Sequence, residues 1–375
     1  MIDDGKSIDV VYLDFKKAFD SIPHERLLRK MAGYGITGNT LSWVKDFLKN
    51  RKQRVRVGNK FSESSDVTSG IPQGSILGPV LFTIFINDLP ENLNVYCKVF
   101  ADDTKIYDEV KNSNKIQNDL YQMQNWTELW NLYFNVGKCK VMHIGKKNPK
   151  TEYYMKIEEN LQTLEKCEEE KDLGITFDAN LKFDIHISNI VKKANQMLGL
   201  IRRTFTFRNK SIFLKLYKSL VRSHLEYGNV VWNPHLKKQS IQIENVQRRA
   251  TKLVPNCKDM SYEERLRYLK LHSLKGRRLR GDLIQAYKIF QDIDDIAPEK
   301  LLPITKYGRT RNQGQKLRHR HTRTDIRKYT FTNRIVDHWN SLPLDIKNSK
   351  TLNTFKNRID SYPKLQDQFY HFDER

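Results

Sequence analysis

Two groups of aspartates, each at the end of a short apolar run, constrain this chain more than any other feature. Val10-Val11-Tyr12-Leu13 leads into Asp14, and a second run leads through Phe100-Ala101 to Asp102 and Asp103. Such β-branched and apolar runs predict buried strands. Carboxylates at buried strand ends need partners, because burying even a neutral polar group alone costs roughly 2–7 kcal/mol. A divalent cation suits acids that converge from separate strands, so the pattern indicates a metal site.

Joining nucleotides is the chemistry that two acidic strand ends favour. Phosphodiester synthesis needs a 3′-oxygen that loses its proton and an α-phosphate that tolerates extra negative charge. Two Mg²⁺ ions about 3.5–4 Å apart meet both needs. Asp102 and Asp103 alone also have a plainer interpretation, because turns use aspartate freely for backbone reasons.

Charge is divided unevenly along the 375 residues. Residues 1–180 contain 25 Lys and Arg against 26 Asp and Glu, whereas residues 181–375 contain 41 against 18. The excess of positive charge in the second half predicts that it binds nucleic acid, because contacts between Lys or Arg and phosphates release bound counterions. The alternative is a solvated basic surface without a partner. The four cysteines lack metal-binding spacing. No apolar run reaches the roughly 18 residues of a membrane span, so we expect an intracellular protein with no membrane partner.

Apolar spacing predicts an α+β first region followed by helices alone. Residues 54–59 alternate polar and apolar side chains like one arm of a hairpin. Residues 212–224 predict a basic helix, and the side chains expected on its buried face are Ile212, Phe213, Leu216 and Leu220. Residues 306–328 contain nine Lys and Arg and predict a mobile basic segment. The predicted domains are 1–180, 181–300 and 301–375.

The segment between the two acidic motifs favours the catalytic interpretation. It reads Ser69-Gly70-Ile71-Pro72-Gln73-Gly74-Ser75-Ile76-Leu77-Gly78-Pro79. Together with residues 13–20 and 100–103, it strongly resembles the palm of reverse transcriptases, above all the Jockey-like enzymes of non-LTR (LINE-type) retrotransposons. Residues 265–283 and 334–343 resemble segments downstream of the polymerase in these elements.

The resemblance implies a fold, an activity and partners. The implied fold is a right-hand polymerase palm, an antiparallel sheet with helices, followed by an all-helical basic thumb and a C-terminal extension. The implied activity is RNA-directed DNA polymerisation, in which nucleotidyl transfer onto a primer 3′-OH copies RNA into DNA. Two Mg²⁺ ions, or Mn²⁺ in their place, would be the cofactors. An RNA template, a DNA primer or target and deoxynucleoside triphosphates would be the partners, and an active element would place the protein in the nucleus.

The resemblance also assigns roles to residues of the two acidic motifs. Asp14, Asp102 and Asp103 match the metal-binding carboxylates. The backbone carbonyl of Phe15 is a further candidate ligand. Asp20 matches the first motif as a structural carboxylate.

Further implied roles concern the nucleotide and the leaving group. Phe19 matches the aromatic residue that lies under the sugar and excludes the ribose 2′-hydroxyl. Gln73 and Gly74 match positions that approach the nucleotide. Lys138 resembles the lysine that protonates the departing pyrophosphate, a general-acid role, and Lys140 is the rival for it.

Two alternatives to an active polymerase stay open. Only thirteen residues precede Asp14, where the family places a basic fingers region, so we expect an N-terminally truncated chain without fingers or endonuclease. The first alternative is therefore a catalytically inactive remnant that still binds nucleic acid. The second is an RNA chaperone like the intron maturases, against which the retrotransposon-like tail argues.

Overall fold

The computed structural model describes residues 1–205, 209–305 and 315–372. The chain divides into two compact units, Met1–Gly174 and Ile175–Arg375. The strands are β1 (Ile8–Leu13), β2 (Lys52–Gln53), β3 (Arg56–Val57), β4 (Lys60–Phe61), β5 (Ser65–Asp66), β6 (Tyr96–Phe100), β7 (Asp103–Glu109), β8 (Lys140–Ile144), β9 (Tyr154–Ile157), β10 (Asn160–Thr163), β11 (Glu165–Lys166), β12 (Glu169–Asp172) and β13 (Ile175–Asp178).

Helices occur in both units. Those of the first unit are α1 (Ala18–Ser21), α2 (His24–Gly33), α3 (Gly38–Leu48), α4 (Leu77–Ile86) and α5 (Ser113–Trp130). Those of the second unit are α6 (Asp184–Thr204), α7 (Lys210–Leu216), α8 (Ser223–Glu226), α9 (Asn229–Trp232), α10 (Lys237–Thr251), α11 (Tyr262–Leu269), α12 (Leu274–Phe290), α13 (Pro298–Leu301), α14 (Asp325–Lys328), α15 (Phe331–Arg334), α16 (Val336–Asn340), α17 (Leu344–Lys347), α18 (Leu352–Ser361) and α19 (Pro363–Tyr370). None of these described helices is both long and apolar enough to cross a bilayer.

A five-stranded sheet frames the first unit, in the order β11-β8-β1-β7-β6. All neighbouring strands in it are antiparallel except β11 and β8, which run parallel. The central strand β1 buries Val11 and Leu13, and its register pairs Leu13 with Thr104 of β7. The predicted α+β palm, an antiparallel sheet with helices, is confirmed.

An exposed hairpin extends from residues 51–67. Within it β2 pairs with β5 and β3 pairs with β4, all antiparallel, which confirms the predicted arm. The Val67 N–H donates to the Arg51 carbonyl over 2.9 Å. The chain therefore leaves and re-enters the body of the unit at adjacent points.

The predicted helix at 212–224 forms with a different buried face. Ile212 and Leu220 are exposed. Phe213 is buried as predicted and Leu216 is half-buried, and the buried face continues through Tyr217, Val221 and Leu225. The cause is a π-helical stretch at Tyr217–Arg222 between α7 and α8, since its wider i→i+5 turns keep a four-residue repeat on one side.

The regions predicted as thumb and C-terminal extension share one buried cluster in the second unit. Tyr287 of α12 stacks on Phe355 of α18 with ring centroids 4.2 Å apart, and Phe290 stacks on Trp339 at 4.9 Å. Residues 306–314 of the predicted mobile segment lie outside the described residues. The prediction is wrong where the segment resumes, because Leu317 is buried and exchanges two hydrogen bonds with the Asn340 side chain.

Candidate active site

Three predicted acids lie at one edge of the central sheet. Asp14 follows β1 directly, Asp102 lies in the two-residue turn that joins β6 to β7, and Asp103 is the first residue of β7. Ala101 adopts a left-handed backbone with φ of +51°, which lets the chain reverse within two residues. Because β1 and β7 are paired in register, the end of β1 lies beside this turn.

The electrostatics at this edge are those of a like-charge cluster. Partial burial raises the pKa of Asp103, and the negative charges of Asp102, Asp172 and Asp14 raise it further, in that order. Lys105 acts in the opposite direction. Neighbouring carboxylates disfavour one another's ionised forms, so this edge favours a cation.

A cavity of about 570 Å³ opens at the same edge. Asp14, Asp103 and Lys138 line it, and Lys138 Nζ lies 3.6 Å from Asp14 Oδ2. Lys140 also lines the cavity, but its Nζ lies 3.0 Å from Oε2 of Glu170. The two lysines thus have different partners.

The cavity also contains residues that the sequence analysis missed. Lys105 and Asp172 both line it and form an ion pair. Asp172 ends β12, in a stretch of acidic residues without a periodic pattern.

The loop between the acidic motifs is fastened to α1. Gly70 donates its N–H to the Ile22 carbonyl over 2.8 Å. Its φ is +82°, and a Cβ there would lie 2.6 Å from the Asp20 backbone, so only glycine fits. Gln73 Nε2 donates to Asp20 Oδ1 over 2.9 Å, and Ser69 Oγ donates to the Asp20 carbonyl over 3.0 Å. Asp20 thus holds this loop in place.

Two of the predicted aromatic residues have ring partners. Phe15 stacks on Phe134 with centroids 4.5 Å apart, and Phe19 stacks on Phe82 at 4.6 Å. Phe15 is buried, whereas Phe19 is half-buried. The predicted site residues that do not line the cavity are Phe15, Phe19, Gln73, Gly74 and Asp102.

The acids fit a divalent cation by their chemistry. In residues 1–205, 209–305 and 315–372, no group of three or more His, Cys, Asp or Glu side chains is already arranged to hold a metal ion. The carboxylates at the sheet edge nevertheless offer the oxygen donors that Mg²⁺ prefers. Burial and the repulsion of the neighbouring carboxylates together raise the pKa of Asp103, and a bound cation would relieve that repulsion.

An antiparallel sheet with acids on its central strand and adjoining turn, and a glycine-containing loop fastened nearby, defines a polymerase palm. Residues 3–198, just over half of the chain, match the family model described as reverse transcriptase (RNA-dependent DNA polymerase). The chain belongs to this reverse transcriptase family.

Relatives from mobile elements agree with the family. The RNA-directed DNA polymerase from mobile element jockey of Drosophila melanogaster is 30% identical over 59% of this chain and 25% of its own length. The probable RNA-directed DNA polymerase from transposon X-element of the same species is 24% identical over 66% of this chain and 28% of its own length. The predicted likeness to the LINE-type, Jockey-like enzymes is confirmed. The chain spans about a quarter of the length of these relatives.

One solved structure illustrates how far the likeness extends in three dimensions. Apo telomerase from Candida tropicalis aligns with 70% of this chain and 46% of its own, at 11% identity and a TM-score of 0.38. That score is too low to establish a shared fold.

Proposed function

We propose that this chain is an RNA-directed DNA polymerase of a non-LTR retrotransposon, which copies RNA into DNA by nucleotidyl transfer onto a primer 3′-OH. The observation that carries the proposal is the acidic edge of the sheet, where partial burial and then the charges of Asp102, Asp172 and Asp14 raise the pKa of Asp103. Like charges held close together disfavour the folded state. Titratable groups in a cavity whose pKa values are shifted in this way are therefore candidates for a functional site.

Asp14, Asp102 and Asp103 would hold two Mg²⁺ ions, or Mn²⁺ in their place, with the Phe15 carbonyl as a further ligand. Such ions, when bound, activate the 3′-oxygen and stabilise the charge that develops on the α-phosphate. The pairing of β1 with β7 keeps the end of β1 beside the acidic turn. This rigid backbone orients the carboxylates without any help from the substrate.

Lys138 is our choice for the proton donor to pyrophosphate. Its ammonium group lies 3.6 Å from an Asp14 oxygen, at the carboxylate cluster itself. The hydrogen bond and charge of Glu170 raise the pKa of Lys140 above its ordinary value, so Lys140 releases its proton less readily than a free lysine. A positioned general acid contributes typically about 10²–10⁴-fold.

The nucleotide would lie against the fastened loop. Gln73 and Gly74 are exposed, and the bond from Gln73 to Asp20 fixes the glutamine side chain. The stack on Phe82 fixes the ring of Phe19, so Phe19 would exclude a ribose 2′-hydroxyl by its rigid position. These contacts would select deoxynucleoside triphosphates.

The second unit would bind the RNA template and the DNA primer or target. It contains 41 Lys and Arg against 19 Asp and Glu, the composition that phosphate backbones require. A chain that acts on chromosomal targets would work in the nucleus.

Primer extension tests the proposal directly. The full chain receives an RNA template, a DNA primer, deoxynucleoside triphosphates and Mg²⁺, and Asp102→Asn and Asp14→Asn are compared with it. We expect product formation to fall by a factor on the order of 10³, as when a large electrostatic term is lost. Asp46→Asn, at an exposed position of α3, is the control and should retain activity. A wild-type chain that binds the duplex but extends no primer would support the inactive remnant.

The same assay separates the two lysines. Lys138→Ala should lower the single-turnover rate by about 10²-fold or more and alter its pH dependence, because the acid itself is removed. Lys140→Ala should change the rate by less than about fivefold. Equal losses in both variants would contradict the assignment of Lys138.

A further inference from the structure

The second unit contains a cavity of its own, with a volume of about 760 Å³. This volume lies within the range of small-molecule sites. Its lining contains two acids, Asp282 and Asp367, and four Lys and Arg residues, two from the first turns of α10 and α12, one deeper in α12 and one from α15: Lys237, Lys275, Arg278 and Arg334. The palm of the first unit contributes no residue to this lining.

Arg278 is the unusual member of this set. Its side chain is only 2% exposed, yet it lines the cavity. Nη2 donates to Ser240 Oγ over 2.9 Å, whereas the buried Nη1 has no hydrogen-bond partner in the described part of the chain. A buried charged donor without an acceptor is costly, so Nη1 of Arg278 is available for a hydrogen bond to an anion, although the charges of Glu244 and Asp282 already act on the guanidinium.

The nearby acids Asp282 and Glu244 form no hydrogen bond with this nitrogen, and their oxygens are bonded to other donors. Arg334 donates from Nε and Nη2 to the two oxygens of Asp282, over 2.8 and 2.9 Å. The Glu244 carboxylate accepts from the backbone N–H groups of Leu274 and Lys275, over 3.0 and 3.2 Å.

A helix N-terminus faces the same cavity. Lys237 and Ser240, from the first turn of α10, line it. The N-cap residue of this fifteen-residue helix is Leu236, which supplies no side-chain cap. Backbone N–H groups and the positive end of the helix dipole favour an anion at such a position.

We propose that this cavity binds a terminal phosphate group, carried by a nucleotide or by the 5′ end of a nucleic acid. The planar guanidinium of Arg278 suits phosphate geometry, and Lys237 and Lys275 are exposed enough to meet the remaining charge. The depth of Arg278 favours a phosphomonoester, because a continuous backbone stays on the surface of a protein. His235 also lines the cavity; one face of its ring stacks on Tyr329 with centroids 4.6 Å apart, and the other face offers a surface for a base or sugar.

Fluorescence anisotropy with the full chain tests this site. The probes are a ten-nucleotide DNA with a 5′-phosphate and the same strand with a 5′-hydroxyl, both labelled at the 3′ end, in EDTA so that the palm acids hold no metal. We expect the phosphorylated strand to bind about tenfold more tightly, as charge-assisted hydrogen bonds allow. The general attraction of the basic unit acts on both strands, so the ratio reports the terminal phosphate.

Paired lysine variants provide the decisive comparison. Lys237→Gln with Lys275→Gln should reduce the preference below about threefold. Lys238→Gln with Lys270→Gln removes the same charge from exposed positions outside the cavity and should preserve it. Arg278→Gln should abolish it, and the lysine variants keep the test valid if that protein does not fold. No preference in the wild type, or equal loss in both lysine pairs, would overturn the site.

Competition identifies the source of the phosphate. Displacement of the phosphorylated strand by dAMP, but not by deoxyadenosine, would show that a free nucleotide suffices. Failure of dAMP, with the 5′-phosphate preference intact, would assign the site to nucleic-acid ends. Either result supports a terminal-phosphate site.

Discussion

Met1–Gly174 contains 25 basic and 25 acidic residues, whereas Ile175–Arg375 contains 41 against 19. The first unit, although neutral as a whole, nevertheless has a local excess of negative charge, because Asp14, Asp102 and Asp103 lie together at one sheet edge. In the basic unit, deeply buried acids are satisfied instead. Asp282 is bonded by Arg334 and Glu244 by backbone N–H groups.

The comparison separates two uses of a carboxylate. Acids that are satisfied by the fold hold helices together, and their removal should weaken the protein. Acids that repel one another at an open cavity weaken the fold slightly and are retained for what they bind. The effect of substitution on stability should therefore have opposite signs at the open acidic edge of the first unit and at the buried acids of the second.

Asp282→Ala should give the largest change in stability. The substitution leaves Arg334 without its ion-pair partner and removes a negative charge near Arg278. Removing one partner of a buried ion pair costs about 3–5 kcal/mol. Urea denaturation at pH 7 measures the loss. Asp360→Ala is the matched control, because its pair with Arg280 is more exposed and should cost about 1 kcal/mol or less. Equal losses would refute the distinction by burial.

A measurement of the free energy of unfolding against pH tests whether a buried base, like the buried acids, stabilises the second unit in the form that the fold satisfies. Burial lowers the pKa of His186 to about 4, and its neutral Nδ1 accepts from the Thr176 N–H over 3.2 Å. The folded state therefore takes up this proton less readily than the unfolded chain. Its contribution is complete above pH 6.5 and declines as the pH falls towards 4, by roughly 3 kcal/mol in total.

His186→Gln isolates that contribution. Denaturation midpoints of both proteins are compared between pH 7 and pH 4.5, and the variant should lose less stability over this interval. Parallel pH profiles would mean that His186 is not the group responsible.

Asp103→Asn should give the smallest change, with the opposite sign. The raised pKa of Asp103 means that its charge disfavours folding at neutral pH, and this penalty fades as the pH falls towards the ordinary aspartate range. We expect a gain of up to about 0.5 kcal/mol, since the group is exposed and screened. Thermal unfolding at low salt checks it; a marked loss of stability would place Asp103 among the structural acids.

The sequence predicted the palm because its signals are local. Asp14 follows a β-branched run and Asp103 follows a turn, so strand pairing alone brings them together. The glycine at position 70 agrees with its surroundings in the structure, since a positive φ and a close backbone contact both exclude other residues there.

The residues that the sequence did not reveal depend on distant contacts. Asp172 meets Lys105 across 67 positions, and no periodic pattern records where that segment passes. The predicted buried face at 212–224 was wrong at Ile212 and Leu220, because the chain follows a four-residue repeat from Phe213 to Leu225 in place of a 3.6-residue period. The cavity around Arg278 joins four helical segments and the C-terminal residues, which no local motif predicts.

The hairpin at 51–67 has a consequence for how such chains change over time. Its two ends meet at the bond from Val67 to Arg51, and its strands lie outside the core. A longer or shorter excursion costs little, because closure entropy grows slowly with loop length. Insertions, deletions or engineered tags near Gly58 should therefore be tolerated without disturbing the catalytic motifs on either side. Related chains are accordingly expected to differ most in length at the tip of this hairpin.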